Sequence, residues 1–262
     1  AIVENRLPTG YGMPGYTLLG QAVVRLPFIK DTSLGHEVLH SWFGNAVRDD
    51  HRSTWSEGLV TYLADQSYAQ DAGQGVEFRK NQIATYQAWV KEGNSSPIAM
   101  VRDAAQDRAT RAVSYNKASM FFHMLRQEMG DRAFFKAVQQ VYARHRYQRI
   151  GWEDLERLFA EVAGKDLSPM FQQWLQRDDI PTLLVEKVGV QAKDGGYEVL
   201  FDLIQQSKEP YRLLVPLTIL TRQGPVHKLI RLNRQQRQVR IPVDSLPTEL
   251  QVDPRHDLMR TL

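Results

Sequence analysis

Leu34-Gly35-His36-Glu37-Val38-Leu39-His40-Ser41-Trp42-Phe43-Gly44-Asn45-Ala46-Val47 places two histidines four positions apart with a glutamate between them. The apolar residues of the stretch recur at helical spacing, which predicts a helix. On a helix, residues i and i+4 lie about 40° apart, so both imidazoles can converge on one ion. Glu37 is rotated roughly 100° from His36, beside such an ion and not on it. Zinc suits two neutral imidazoles and a carboxylate and leaves a position open for water. Bound metal lowers the pKa of that water towards about 7, and a neighbouring glutamate can take its proton. The bland alternative is a pair of surface histidines flanking a helix acid. A chance H-E-x-x-H is expected roughly once in a hundred chains of this composition.

A third ligand is expected from a helix packed against the first. Trp55-Ser56-Glu57-Gly58-Leu59-Val60-Thr61-Tyr62 reads as a helix start, with Glu57 17 positions after His40. The polar loop Arg48-Asp49-Asp50-His51-Arg52 between them is long enough to reverse the chain. An acid in a first helical turn is also favoured by the helix dipole, and the two roles are compatible.

Further along, apolar residues keep helical spacing to about Arg177: Leu59, Tyr62 and Leu63; Met120, Phe121, Met124 and Leu125; Phe134, Phe135, Val138 and Tyr142; Leu155, Leu158 and Phe159. Breakers at Gly73, Gly93, Gly130, Gly151, Gly164 and Pro169 divide this region into six or seven expected helices. The first thirty residues, with Gly10, Gly12, Pro14, Gly15 and Gly20, predict short strands or loops. After Pro181 the pattern changes to short strands at Tyr197–Leu203, Leu213–Leu220, His227–Leu232 and Gln238–Val243. The expected fold class is therefore α+β. A helical domain over residues 1–180 (strands and loops in 1–30, helices in 31–180) precedes a small β-sandwich over 181–262.

The chain has 262 residues and no cysteine, which excludes disulfides, Cys-ligated metals and a cysteine nucleophile. Its formal net charge is +3. The excess lies in the last third, where Arg222, Lys228, Arg231, Arg234, Arg237 and Arg240 stand without an acidic neighbour. With no nucleic-acid motif beside it, this run reads as solvated strand surface, and no nucleic-acid partner is expected. No run of 18 apolar residues is present, so no membrane-spanning helix is expected. The chain begins Ala1-Ile2-Val3-Glu4 without an initiator Met, as expected of a processed product or a segment of a longer protein. Composition leaves the compartment open.

The block His36-Glu37-Val38-Leu39-His40-Ser41-Trp42-Phe43-Gly44-Asn45, followed by Trp55-Ser56-Glu57-Gly58, resembles the M1 aminopeptidases of the gluzincin metallopeptidases. The resemblance implies a thermolysin-like catalytic domain with one zinc ion on His36, His40 and Glu57, and Glu37 as general base. The loop before Glu57 is two residues shorter than is usual in that family. Val113-Ser114-Tyr115-Asn116-Lys117-Ala118 is similar to the family's Y-E-K-G segment, with Asn116 and Ala118 in place of Glu and Gly. This implies Tyr115 as hydrogen-bond donor to the oxyanion, where a phenol stabilises charge that develops only in the transition state. Ala1-Ile2-Val3-Glu4-Asn5 resembles a degenerate G-A-M-E-N strand, which implies Glu4 as the group that grips the α-ammonium of a peptide with a free N-terminus. The family also carries an N-terminal β domain before this strand, expected to be absent from this chain.

Three functions follow from these expectations: a zinc aminopeptidase, a gluzincin of another cleavage mode (an endopeptidase or glycyl aminopeptidase), or an inactive zinc-binding fragment acting as an interaction module. His123, set among Phe121, Phe122, Met124 and Leu125, is expected to be a hydrogen-bonded core residue. His51, close to the motif but in a loop between acids and arginines, is expected to be solvated, and His145, His227 and His256 lack ligand-like spacing. The run Thr9-Gly10-Tyr11-Gly12-Met13-Pro14-Gly15 lacks the Gly-Lys-Ser/Thr ending of a phosphate loop and reads as cleft wall or turn.

Overall fold

The computed structural model describes residues 1–7, 10–104 and 107–262, so that Thr9 of the glycine-rich run lies outside the described residues. The chain divides into two units, Ala1–Asp178 and Asp179–Leu262.

The first unit opens with β1 (Ile2–Asn5), β2 (Gly10–Met13) and β3 (Tyr16–Gly20). β3 is central, parallel to β1 and antiparallel to β2, which leaves β2 at an edge. Helix α1 (Ser33–Leu39) follows. It is shorter than the periodicity of Leu34–Val47 suggests. The Asn45 amide donates to the His40 carbonyl at 3.0 Å, which would otherwise continue the helical ladder. His40 itself keeps right-handed helical dihedrals as the C-terminal cap, so its relation to His36 is that of an unbroken helix.

A two-residue strand, β4 (Arg48–Asp49), pairs parallel with β5 (Arg149–Ile150). Then α2 (Ser56–Val60) runs through a π-helical turn, Thr61–Asp65, directly into α3 (Gln66–Asp71). After α4 (Gly75–Trp89), a second composite rod is built the same way: α5 (Arg108–Arg111), a π turn at Ala112–Lys117, and α6 (Ala118–Met129). The rest of the unit is α7 (Asp131–His145), α8 (Trp152–Ala163) and α9 (Ser168–Leu175). Among the described residues these segments form seven continuous rods.

The two composite rods approach closely at Gly58, where an added Cβ would stand 2.5 Å from the Ala118 Cβ. Only glycine permits that separation, and it fixes the distance between the rods that carry Glu57 and Tyr115. Their apolar faces share a core in which Trp55, Phe121, Phe122, Phe134, Phe159, Phe171 and Trp174 are buried. Phe121 meets Trp152 and Phe171 edge-on at 5.6 and 5.1 Å, the favoured aromatic geometry. His123 is buried here, with its Nδ1 3.2 Å from the Gln66 amide.

The second unit has two three-stranded antiparallel sheets. One is ordered β10-β7-β6, from β6 (Thr182–Lys193), β7 (Gly196–Gln206) and β10 (Gln236–Val243). The other is ordered β11-β8-β9, from β8 (Leu213–Thr221), β9 (Gly224–Leu232) and β11 (Pro247–Val252). Val239, Ile241 and Val243 are buried while Gln238, Arg240 and Pro242 are exposed, the alternation that a one-sided strand requires. β6 and β11 were not expected from the sequence. Both are edge strands with much polar, exposed surface, and β6 carries a register shift between Glu186 and Gly189, so neither shows a clean period of two. Among the described residues no helix is long and apolar enough to cross a membrane.

Candidate metal centre and active site

His36 and His40 project from α1 and its cap towards Glu57 in the first turn of α2. The two Nε2 atoms are 3.1 Å apart, and each lies 3.3 Å from Glu57 Oε2. Three ligand atoms around a tetrahedral ion, with bonds near 2.0–2.1 Å, stand roughly 3.3 Å from one another. The triangle therefore has the size such an ion demands, and among the described residues these three form the group able to hold a metal.

The far side of each imidazole is fixed. His40 Nδ1 donates to the Phe43 carbonyl at 2.9 Å, and His36 Nδ1 donates to Asp65 Oδ2 at 2.9 Å. With the proton held on Nδ1, each Nε2 lone pair points inward, as a ligand must. Burial opposes protonation of His36, but hydrogen bonds to Asp65 and Glu57 outweigh it and push the imidazole up to about 10, so an ion binding at Nε2 takes the place of a proton there. Burial likewise raises Glu57, yet its two histidine partners hold it well below the usual carboxylate range. This is a strongly polarised cluster that favours positive charge at its centre.

Asp65 reaches His36 because of the π turn. Eight residues after Glu57, it would sit about 80° off the Glu57 face of an ideal α-helix. A π turn absorbs one extra residue, so the eight residues advance roughly as far as seven and return Asp65 to within about 20° of that face. Asp65 does not stand out in the sequence, because an acid spaced for a π-containing helix has no regular period to betray it. Asp49 was also missed. Its Oδ1 accepts from the backbone N–H groups of Trp55 and Ser56 at 2.6 and 2.9 Å, and its Oδ2 accepts from the Ser56 hydroxyl at 2.5 Å. A residue six positions away thus caps α2 and sets the turn that presents Glu57.

Glu37 lies beside the triangle against edge strand β2. An added Cβ at Gly12 would stand 2.5 Å from both the Glu37 carbonyl oxygen and the His40 Cβ, so β2 can lie this close only without a side chain there. Burial pushes the Glu37 carboxyl up, against the pull of His36 and His40 and a hydrogen bond from the Gly12 backbone. Tyr115, inside the second π turn, stacks on His36 with ring centroids 6.1 Å apart and planes 11° from parallel. Burial, then the nearby Glu57 carboxylate, push its hydroxyl up, so it remains a proton donor at neutral pH.

These groups line a cleft of about 760 Å³ together with Gly10, Tyr11, Arg102 and Arg111. The structure thus brings together His36, Glu37, His40, Glu57 and Tyr115. Glu4 is not among the residues lining this cleft. On β1 it pairs with Arg25 at 3.3 Å and is half exposed.

Two imidazoles and a carboxylate converge on one point and could hold a metal ion, with a second carboxylate and a phenol lining the same cleft. The peptidase family M1 domain profile matches residues 31–174, more than half of the chain, and the chain belongs to that family. Its relatives include aminopeptidase N of Lactococcus lactis subsp. lactis, 25% identical over 164 residues, covering 59% of this chain and 19% of that protein. Aminopeptidase N of Escherichia coli (strain K12) is 27% identical over 161 residues, covering 58% and 18%. The chain spans about a fifth of the length of these relatives. Among solved structures, that of Legionella pneumophila aminopeptidase A in complex with aspartic acid matches with a TM-score of 0.67 at 17% identity, over 99% of this chain and 31% of that one. That likeness establishes a shared fold.

Proposed function

We propose that this chain carries the catalytic centre of a zinc aminopeptidase, with a thermolysin-like domain in the first unit and a β-sandwich in the second. The carrying observation is the triangle of His36 Nε2, His40 Nε2 and Glu57 Oε2, facing a cleft that Glu37 and Tyr115 also line. His36, His40 and Glu57 hold the ion. When bound, zinc supplies Lewis acidity to the scissile carbonyl and to water. Glu37 takes the proton of the attacking water and passes it to the leaving amine, a task suited to a carboxyl raised by burial. Tyr115 donates a hydrogen bond to the oxyanion. Glu4 is the proposed partner of the substrate's α-ammonium group, exchanging Arg25 for it.

A second reading, cleavage away from the amino terminus, draws on the engagement of Glu4 with Arg25 and its place outside the cleft. The test uses the chain loaded with zinc and dialysed. One zinc per chain and hydrolysis of a free-amine peptide, with its N-acetylated form resistant, is the expected result. Equal cleavage of the two forms discards the amine grip and leaves the second reading; absence of zinc discards both.

A further inference from the structure

The most unusual neighbour of the site is Arg111. Its guanidinium lies 4.5 Å from the centre of the Tyr115 ring, and that ring is stacked on His36 at 6.1 Å. Tyr115 thus contacts both the guanidinium and an imidazole of the metal triangle. The two stacking distances place Arg111 within about three residues of extended peptide, at roughly 3.3–3.6 Å each, from His36. The side chain is exposed to the cleft, and among the described residues no carboxylate pairs with it.

Other arginines of this unit show what pairing looks like. Arg52, Arg126 and Arg144 each find an acid at 2.8 Å. Of the acids that line the same cleft, Asp65 is engaged with His36, Glu57 with both histidines, and Asp49 with the start of α2. Arg102 lines the same cleft and also has no carboxylate partner among the described residues. Behind Tyr115 lies an adjoining cavity of about 1130 Å³ that shares Arg111 and adds Arg108, stacked 4.3 Å over Trp89. A guanidinium is a planar fork suited to two parallel hydrogen bonds to a carboxylate, and contact with an aromatic ring restricts its motion. Without these cations, Glu37, Asp65 and Asp103 in the cleft wall would repel an anionic substrate.

We propose that Arg111, aided by Arg102, receives a carboxylate of the substrate, so that the site favours peptides carrying an anion close to the scissile bond. This specificity rests on the zinc-peptidase reading above. The carboxylate can come from a side chain before the scissile bond, a side chain after it, or the free C-terminus of a short peptide.

The test measures calorimetric binding to the zinc-loaded chain carrying Glu37→Gln, which removes turnover from the readout. Four ligands are compared: alanyl-alanine amide, its free acid, alanyl-glutamate α-amide and glutamyl-alanine amide. At least one charged peptide is expected to bind about tenfold or more tightly than the neutral amide, as one charge-assisted pair supplies, and the arm that does so identifies the source. Adding Arg111→Gln brings the charged and neutral peptides within about twofold of each other, and Arg111→Lys restores only part of the difference, since an ammonium lacks the planar fork. In the chain without Glu37→Gln, Arg111→Gln raises KM for the charged peptide more than it lowers kcat. Equal binding of all four peptides, no binding of any, or a preference that survives Arg111→Gln overturns the proposal. Zinc content and hydrolysis of the neutral amide by the unsubstituted chain report separately on the underlying reading.

Discussion

In the first unit, His36, His40 and Glu57 aim three ligand atoms at one point beside an open cleft. In the second, Asp253 is fully buried and paired with Arg260 at 3.0 Å, but there every atom is turned to the chain itself. Its Oδ1 accepts from the Asp257 backbone at 2.7 Å and its Oδ2 from that of Leu258 at 3.3 Å, while Arg260 donates to the carbonyls of Thr261 and Val252. Both regions contain desolvated charge. What separates them is where the remaining hydrogen-bonding capacity points: inward on backbone, the charge fastens the chain to itself; towards one shared point, it can hold a ligand. A buried ion pair alone is therefore a poor sign of function, and convergence of like lone pairs is a good one.

The sharpest way to break this contrast is Glu37→Gln. Turnover should fall by about 10³-fold or more, as expected for loss of a general base, while zinc content stays at that of the parent chain. Retained activity in a steady-state assay would remove Glu37 from the chemistry. His40→Ala, by contrast, should abolish metal retention, measured by elemental analysis after dialysis.

In the second unit, Asp253→Ala strands Arg260 in a buried site and should cost about 3–5 kcal/mol in urea unfolding, with zinc stoichiometry unchanged. Loss of zinc in that variant would mean that the two regions are coupled. Smaller again is Asp65→Asn, which leaves the three ligands intact but weakens the partner that orients His36. Competition titration with a chelator should show zinc affinity down by about 10–100-fold.

A further effect is expected from pH on Asp253. Burial pushes its carboxyl up to about 6, against an unperturbed value of 3.8. The folded state therefore holds this proton more tightly than the unfolded one. The contribution is fully present below about pH 4 and is lost as the pH rises through about 6. The urea midpoint of the second unit should fall over that window, and the fall should vanish in Asp253→Asn.

The ligands of the proposed metal centre were legible because H-E-x-x-H puts its chemistry at a spacing that any right-handed helix converts into one face. Glu57 was legible for a related reason, since it opens a strongly patterned helix. Asp49 and Asp65 were not. Asp49 caps a helix that it does not adjoin in sequence, and Asp65 depends on a π turn that ordinary periodicity hides. Gly12 stood within a run read only as wall or turn, because close approach of β2 to Glu37 and His40 is a tertiary fact. In the second unit β7 and β8 showed themselves by long apolar runs and the edge strand β10 by its alternation, whereas β6 and β11 had too much exposed polar surface to stand out.

The π turn at Thr61–Asp65 separates two properties that a regular helix would bind together. Were the same residues, with none removed, to relax into an ordinary α-helix, the ladder would be complete while Asp65 swung by about 100° away from His36. Orientation of the first imidazole is thus a matter of counting rather than of cohesion: the rod can gain in regularity at the very step where the site loses its aim.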